Sequence, residues 1–215
     1  MRAYYSAARF LAKTALGTLS HWEVRGREFI PLEGGLVVAS NHISFWDPPL
    51  VGCALPREVH FLAKEELFGT LVLGGLIRSL NAIPIRRGMA DLSGLARAIA
   101  MLRKGGALVV FPEGSRMRDG ELHPPRPGAA MMAVQADVPI VPCCVLGSNR
   151  PRRWLLGREQ VRIWFGPARH WRELAGPDLD LTPGRALYHA IGEAVMREIA
   201  AIKSGQLSSA SRGAA

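Results

Sequence analysis

Residues Leu36 to Pro48, Leu-Val-Val-Ala-Ser-Asn-His-Ile-Ser-Phe-Trp-Asp-Pro, constrain this chain more than any other stretch. Leu36, Val37, Val38 and Ala39 form an apolar run set off by Gly34 and Gly35. Such a run suits a strand buried on both faces of a sheet. Polarity switches on at Ser40, Asn41 and His42, and Asp47 follows five residues after His42, ahead of Pro48 and Pro49. Asp-Pro reads as the N-cap and first residue of a helix. A histidine then sits just past a buried strand, and an aspartate at the mouth of the next helix. The loop between them can fold the carboxylate onto the imidazole. An Asp accepting from one ring nitrogen fixes the tautomer and leaves the other nitrogen free to take a proton. No Ser, Cys or Lys nucleophile is needed if the substrate brings its own hydroxyl.

The same punctuation divides the rest of the chain. Strands are expected at Trp22–Arg25, Val59–Ala63, Ile83–Ile85, Ala107–Phe111 and Pro139–Leu146, with Val161–Phe165 as an edge strand. Helices are expected at Asp47–Leu55, at Lys64–Leu80 (weakened by Gly69, Gly74 and Gly75), at Asp91–Lys104 behind an Asp91 cap, at Gly128–Ala136 and at Pro183–Lys203. Strands alternating with helices predict an α/β fold: a single domain, with a mostly parallel central sheet flanked by helices and an N-terminal amphipathic helix. The expected layout is that helix over residues 1–20, the domain over 21–203 and a Ser/Ala/Gly-rich, frayed tail over 204–215.

Charge bounds the partners. With 27 Lys and Arg against 18 Asp and Glu, the net charge is +9, which favours an anionic partner such as nucleic acid, a phospholipid surface or a phosphorylated substrate. Ala3 to Leu19 reads as a basic helix with Arg2, Arg9 and Lys13 in one sector and Tyr4, Ala8, Leu11, Ala15 and Leu19 opposite. It suits either a membrane interface or packing on the core. No stretch reads as membrane-spanning: the apolar run from Leu67 to Ile77 covers about 16 Å as a helix, roughly half the hydrocarbon thickness. Trp154, Trp164 and Trp171 lie near Arg152, Arg153, Arg158, Arg162 and Arg169. No nucleic-acid motif accompanies them, so a membrane-facing patch is the preferred reading and no nucleic-acid partner is expected. Cys53, Cys143 and Cys144 show no metal or disulfide spacing. His21, His60, His123, His170 and His189 have no partner in sequence.

In parallel sheets, ligands bind where loops leave the carboxyl ends of strands. Three loops qualify: one with Asn41, His42 and Asp47, one with Glu113, Gly114, Ser115 and Arg116, and one with Arg86 and Arg87. They offer a base with its orienting acid, a second carboxylate and several guanidiniums, which suits activation of a hydroxyl on a phosphorylated molecule.

Four blocks in this order carry a resemblance. Asn41-His42 to Asp47 resembles the N-H-x-x-x-x-D motif of the glycerolipid acyltransferases, particularly the 1-acylglycerol-3-phosphate acyltransferases. Phe111-Pro112-Glu113-Gly114-Ser115-Arg116 is similar to their F-P-E-G-T-R block, with Ser115 where Thr is usual. Asn81 to Arg87 resembles their G-x-x-F-I-x-R block, with Asn81 for Gly and Pro84 for Phe. Arg87 is the best match to the family arginine, and Arg86 the substitute. Val138 to Pro142 resembles the fourth, proline-containing block, and Lys64 to Phe68 also resembles the family.

The resemblance implies that His42 acts as general base on the hydroxyl of a lysophospholipid acceptor, which attacks an acyl thioester donor directly, and that Asp47 orients His42. Arg87, Glu113, Gly114, Ser115 and Arg116 are the implied substrate-binding residues. No metal and no cofactor is implied, with acyl-CoA or acyl-carrier protein as co-substrate. The product would be phosphatidate, made at the cytoplasmic face of a membrane by a peripheral protein. The alternatives are another acceptor (glycerol 3-phosphate or a lyso-aminolipid) or a non-catalytic lipid-binding protein of the same fold. An acyl chain needs an apolar groove, and Leu67, Phe68, Leu71, Val72 and Leu76 are the expected lining or lipid-dipping residues.

Overall fold

The computed structural model describes residues 14, 22–69, 74–75, 77–78, 81–86, 91–177 and 179–205. The expected N-terminal helix and the tail from 206 therefore lie outside the described residues, as do Leu71, Val72, Leu76 and Arg87.

Seven described strands form one sheet: β1 (Trp22–Arg25), β2 (Leu36–Ser40), β3 (His60–Lys64), β4 (Ala82–Ile85), β5 (Ala107–Val110), β6 (Ile140–Leu146) and β7 (Val161–Phe165). Their order across the sheet is β1-β7-β6-β2-β5-β3-β4. Every neighbouring pair is parallel except β6 with β7. The helices are α1 (Asp47–Ala54), α2 (Leu92–Arg103), α3 (Gly128–Ala136), α4 (Pro151–Leu155), α5 (Trp171–Ala175) and α6 (Arg185–Lys203).

The fully apolar β2 run has the predicted environment. It lies between β5 and β6, pairing Val37 with Leu108 on one side and Ile140 on the other, and all five of its residues are buried. Its side chains alternate between two cores. Val37 and Ala39 join the core under α2, α3 and α6, while Leu36 and Val38 join the core with α1 residues and Trp154. Burial on both faces is what allows the run to be continuously apolar. Asp91 caps α2 as expected, accepting from the Gly94 N–H at 3.0 Å.

Three expectations change. β7 is not an edge strand: it lies between β1 and β6, and β1 and β4 are the edges. Its alternation records burial of Val161, Ile163 and Phe165 on one face while Arg162 stays exposed on the other. No single helix runs from Lys64. That residue ends β3, and Glu65–Gly69 is a 3-10 turn, with Gly74, Gly75, Ile77 and Arg78 helical beyond it. Gly74 approaches the Phe68 carbonyl so closely that a Cβ would fall 2.5 Å from its oxygen, so the chain folds back there instead of continuing. Finally, Asp47 is the first residue of α1 and Trp46 is its N-cap.

Candidate active site

The parallel arrangement brings the loops after β6, β2 and β5 side by side at one end of the sheet. The loop after β2 carries His42 and Asp47. Asp47 does not cap its own helix. Its carboxylate turns back and Oδ2 accepts three hydrogen bonds, from His42 Nδ1 at 2.9 Å and from the Ile43 and Ser44 N–H groups at 2.7 Å each. This explains why a carboxylate with no exposure is tolerated, since a buried charge must be hydrogen-bonded. His42 stacks on Phe111 with 4.1 Å between ring centroids, so Asp47 fixes the ring edge and Phe111 its face. Because a carboxylate accepts, Nδ1 donates to it and Nε2 is left as the basic nitrogen. Nε2 has no hydrogen-bond partner among the described residues, and the side chain is 13% exposed. The pair can take a proton from an incoming hydroxyl.

Two buried side chains hold this loop to β6. Asn41 clasps the Val145 backbone, donating from Nδ2 to its carbonyl at 3.0 Å and accepting its N–H at 2.7 Å. Ser148, just past β6, donates from Oγ to Asp47 Oδ1 at 2.5 Å. The Ser148 carbonyl accepts in turn from the indole of the buried Trp154. Sequence reasoning missed Ser148. Its signal is the switch from apolar Cys143–Val145 to Gly147-Ser148-Asn149 at the carboxyl end of a buried strand, the position at which the other candidate loops were found.

The loop after β5 locks onto the same site. Glu113 is buried and bridges two strands of loop: Oε2 accepts from the His42 N–H at 2.8 Å and Oε1 from the His123 N–H at 3.2 Å. Burial raises its pKa, against the lowering effect of those two N–H groups. The Met117 N–H donates to the His42 carbonyl at 2.7 Å, closing the two loops together. Gly114 turns the chain with φ +73°. Ser115 and Arg116 follow, half-buried, and the Arg116 guanidinium lies 3.3 Å from the centroid of the Phe45 ring.

The third loop is less connected. Arg86 is tied to Glu65 at 2.5 Å, and β4 is the sheet edge, separated from β5 by β3. Of the expected groove residues, Leu67 is exposed but Phe68 is buried in the core. Trp154 and Trp171 are buried too, so neither belongs to a surface patch or stacking platform. His123, unpartnered in sequence, pairs with Asp119 at 2.7 Å, but both side chains are exposed, and among the described residues only His42 has a fully buried carboxylate behind it. Among the described residues no group of three or more His, Cys, Asp or Glu side chains forms a metal-ligand set.

A histidine held by a buried aspartate thus stands at the carboxyl ends of a parallel sheet, joined to a Phe-Pro-Glu-Gly loop, an arrangement with the chemistry to activate a hydroxyl. The chain belongs to the acyltransferase family: the family model described as Acyltransferase matches residues 21–146. It is similar to the 1-acyl-sn-glycerol-3-phosphate acyltransferase of Bacillus subtilis, at 27% identity over 71% of this chain and 76% of that protein. It is 36% identical to the human 1-acyl-sn-glycerol-3-phosphate acyltransferase alpha over 66% of this chain, and spans 53% of that protein. The crystal structure of the 1-acyl-sn-glycerophosphate acyltransferase PlsC from Thermotoga maritima superimposes with a TM-score of 0.71 at 27% identity, covering 93% of this chain and 80% of that one.

Proposed function

We propose that the protein moves a fatty acyl group from a thioester donor, acyl-CoA or acyl-carrier protein, to the free hydroxyl of 1-acylglycerol 3-phosphate, giving phosphatidate. The observation that carries this reading is the His42–Asp47 pair, with Nδ1 bound to the carboxylate and Nε2 open. The names of the relatives support the choice of acceptor.

The steps follow from the pair. Nε2 of His42 takes the proton of the acceptor hydroxyl as its oxygen attacks the thioester carbonyl. Asp47 stabilises the imidazolium that forms. The carbon–sulfur bond breaks, and the thiolate leaves with the proton returned by His42. General-base catalysis of this kind contributes about 10²–10⁴-fold. The hydroxyl attacks directly, so neither a metal nor an organic cofactor has a step to perform. Arg116, which has no ion pair among the described residues, supplies charge for the acceptor phosphate, and Arg87 joins it by resemblance.

The reading includes peripheral attachment to the cytoplasmic face of a membrane, where a lysophospholipid resides. No described helix is long and apolar enough to cross a membrane. Of the eight large apolar side chains exposed among the described residues, one is Trp46 at 41%, which contacts Trp154, and three are close to these two in sequence: Phe45 at 75%, Leu155 at 40% and Leu156 at 67%. Arg152 and Arg158 are exposed beside them in sequence, a composition suited to an anionic lipid interface.

The test is one panel: the purified protein with labelled acyl-CoA or acyl-carrier protein against lysophosphatidate, glycerol 3-phosphate, a lyso-aminolipid and monoacylglycerol. Lysophosphatidate is expected to have the highest kcat/KM. Preference for any other acceptor overturns the reading.

A further inference from the structure

We propose that Arg126 is a second phosphate-binding residue of the acceptor site, seated by Gly114 and acting beside Arg116 on the phosphate monoester. This rests on the phosphorylated acceptor of the proposed function.

Arg126 lies outside the Phe-Pro-Glu-Gly-Ser-Arg block, in the loop before α3. The fold returns it to that block. Its N–H donates to the Pro112 carbonyl at 2.8 Å. Its side chain lies directly against Gly114: a Cβ on that glycine would fall 2.5 Å from Arg126 Cδ and 2.7 Å from Nε. Two constraints therefore meet at Gly114. Its φ of +73° favours glycine, and any side chain would evict Arg126.

The guanidinium placed there has no structural task. Arg126 is exposed and makes no ion pair or side-chain hydrogen bond among the described residues. Other arginines do: Arg86 binds Glu65, Arg172 binds Asp137, and Arg57 donates to two carbonyls. The adjacent carboxylate, Glu113, is already taken up by the His42 and His123 N–H groups. Nor does Arg126 serve α3. A cation just ahead of Pro127, the N-cap, meets the positive end of the helix dipole, which disfavours it. Arg116 likewise lacks an ion pair among the described residues and rests on the ring of Phe45, within the His42–Asp47 loop. Two guanidiniums without an ion pair among the described residues are thus carried by the loop after β5, which bonds to the His42 backbone, and by the segment hydrogen-bonded to that loop at Pro112 and Glu113. A phosphate monoester, nearly dianionic at neutral pH, matches the charge and the fork geometry of such guanidiniums.

The experiment compares the full chain with Arg126→Ala, Arg126→Lys and Gly114→Ala. Arg126→Ala is expected to raise KM for lysophosphatidate about tenfold, with little change in kcat, in Tm or in KM for the unphosphorylated monoacylglycerol. Lysine should recover part of the loss, since it keeps the charge and loses the fork. Gly114→Ala should reproduce the acceptor defect. Combining it with Arg126→Ala should then add little to KM, because both remove one contact. Unchanged KM for lysophosphatidate in Arg126→Ala overturns the proposal, as does an increase confined to the acyl-CoA donor. If the parent protein itself shows no preference for phosphorylated acceptors, the proposed function fails separately. Calorimetric titration with glycerol 3-phosphate then decides Arg126 alone: weaker binding to Arg126→Ala supports it, and equal binding overturns it.

Discussion

The Ser148 hydroxyl donates to Oδ1 of Asp47 at 2.5 Å, and both side chains are fully buried. It is the sole partner of that oxygen among the described residues, the other three hydrogen bonds converging on Oδ2. Ser148 therefore sets the rotation of the carboxylate that orients His42. In the proposed mechanism it touches no reacting atom and acts as a positioning residue. Ser148→Ala is expected to lower kcat about tenfold with KM for both substrates nearly unchanged, since a charge-assisted hydrogen bond nets about 1.5–3 kcal/mol. Threonine keeps the hydroxyl and should restore much of the rate. Loss of folding without this kcat-specific effect, or no rescue by threonine in a folded protein, would remove Ser148 from the positioning role.

His42 and Asp47 give a sharper contrast. His42→Ala should cost at least about 10²-fold in kcat in a protein with unchanged circular dichroism. Asp47→Asn should also cripple the rate, because an amide nitrogen can face Nδ1 and reverse the tautomer. Full turnover by folded His42→Ala would sink the mechanism.

How much of this was legible in sequence depends on range. β2, β5 and β6 could be read because a strand buried on both faces must be apolar at every position, and the loops at their ends could be read because polarity returns abruptly. The His42–Asp47 pair is local, five residues apart. Ser148 is 101 residues from Asp47 in the chain, and its role exists only because β6 neighbours β2. Arg126 is hidden for the same reason, since its significance is a contact with Gly114. The placement of β7 failed because alternation reports burial on one face and says nothing of how many strands pair alongside. The Asp47 cap failed because an aspartate at a helix start has two directions in which to accept, and the loop amides of Ile43 and Ser44 competed successfully.

Glu113 yields a pH-dependent prediction. Its pKa is raised from its ordinary 4.5, chiefly by burial, so the folded state favours the protonated form. A raised folded pKa means that the stabilisation is fully present below about pH 4.5 and is lost as pH rises through the folded value. Other groups move oppositely: Asp119 and Asp137 are held low by hydrogen bonds, and their contributions are lost as pH falls. The difference between the parent and Glu113→Gln isolates Glu113. Measured by urea unfolding across that window, the parent's advantage over Glu113→Gln should shrink as pH rises. A difference that grows with pH would show the carboxylate to be stabilised rather than penalised by its burial.

The exposed apolar side chains beside the active site make a prediction about attachment. Phe45 and Trp46 sit on the loop that holds His42 and Asp47, and Trp46 packs edge to face on Trp154, ahead of exposed Leu155 and Leu156. Lipid docking at this surface would place His42, the proposed general base, where a lysophospholipid hydroxyl enters from the membrane. The full chain should sediment with phosphatidylglycerol vesicles at low salt and release at high salt, since each nearby Lys or Arg contributes about 1 kcal/mol and is screened by ions. Burying one leucine is worth about 1.5–3 kcal/mol. The Leu155→Gln, Leu156→Gln double variant should therefore weaken vesicle binding at least tenfold. Arg152→Gln with Arg158→Gln should mainly reduce its salt sensitivity. Removing residues 1–19 should weaken binding independently, through the basic N-terminal segment. Turnover of a short-chain, soluble lysophosphatidate should survive the leucine changes, because the loss lies in reaching the interface rather than in the chemistry. A full-length protein that ignores anionic vesicles would refute the attachment altogether. Leucine variants that bind as tightly as the parent would remove Leu155 and Leu156 from the attachment surface.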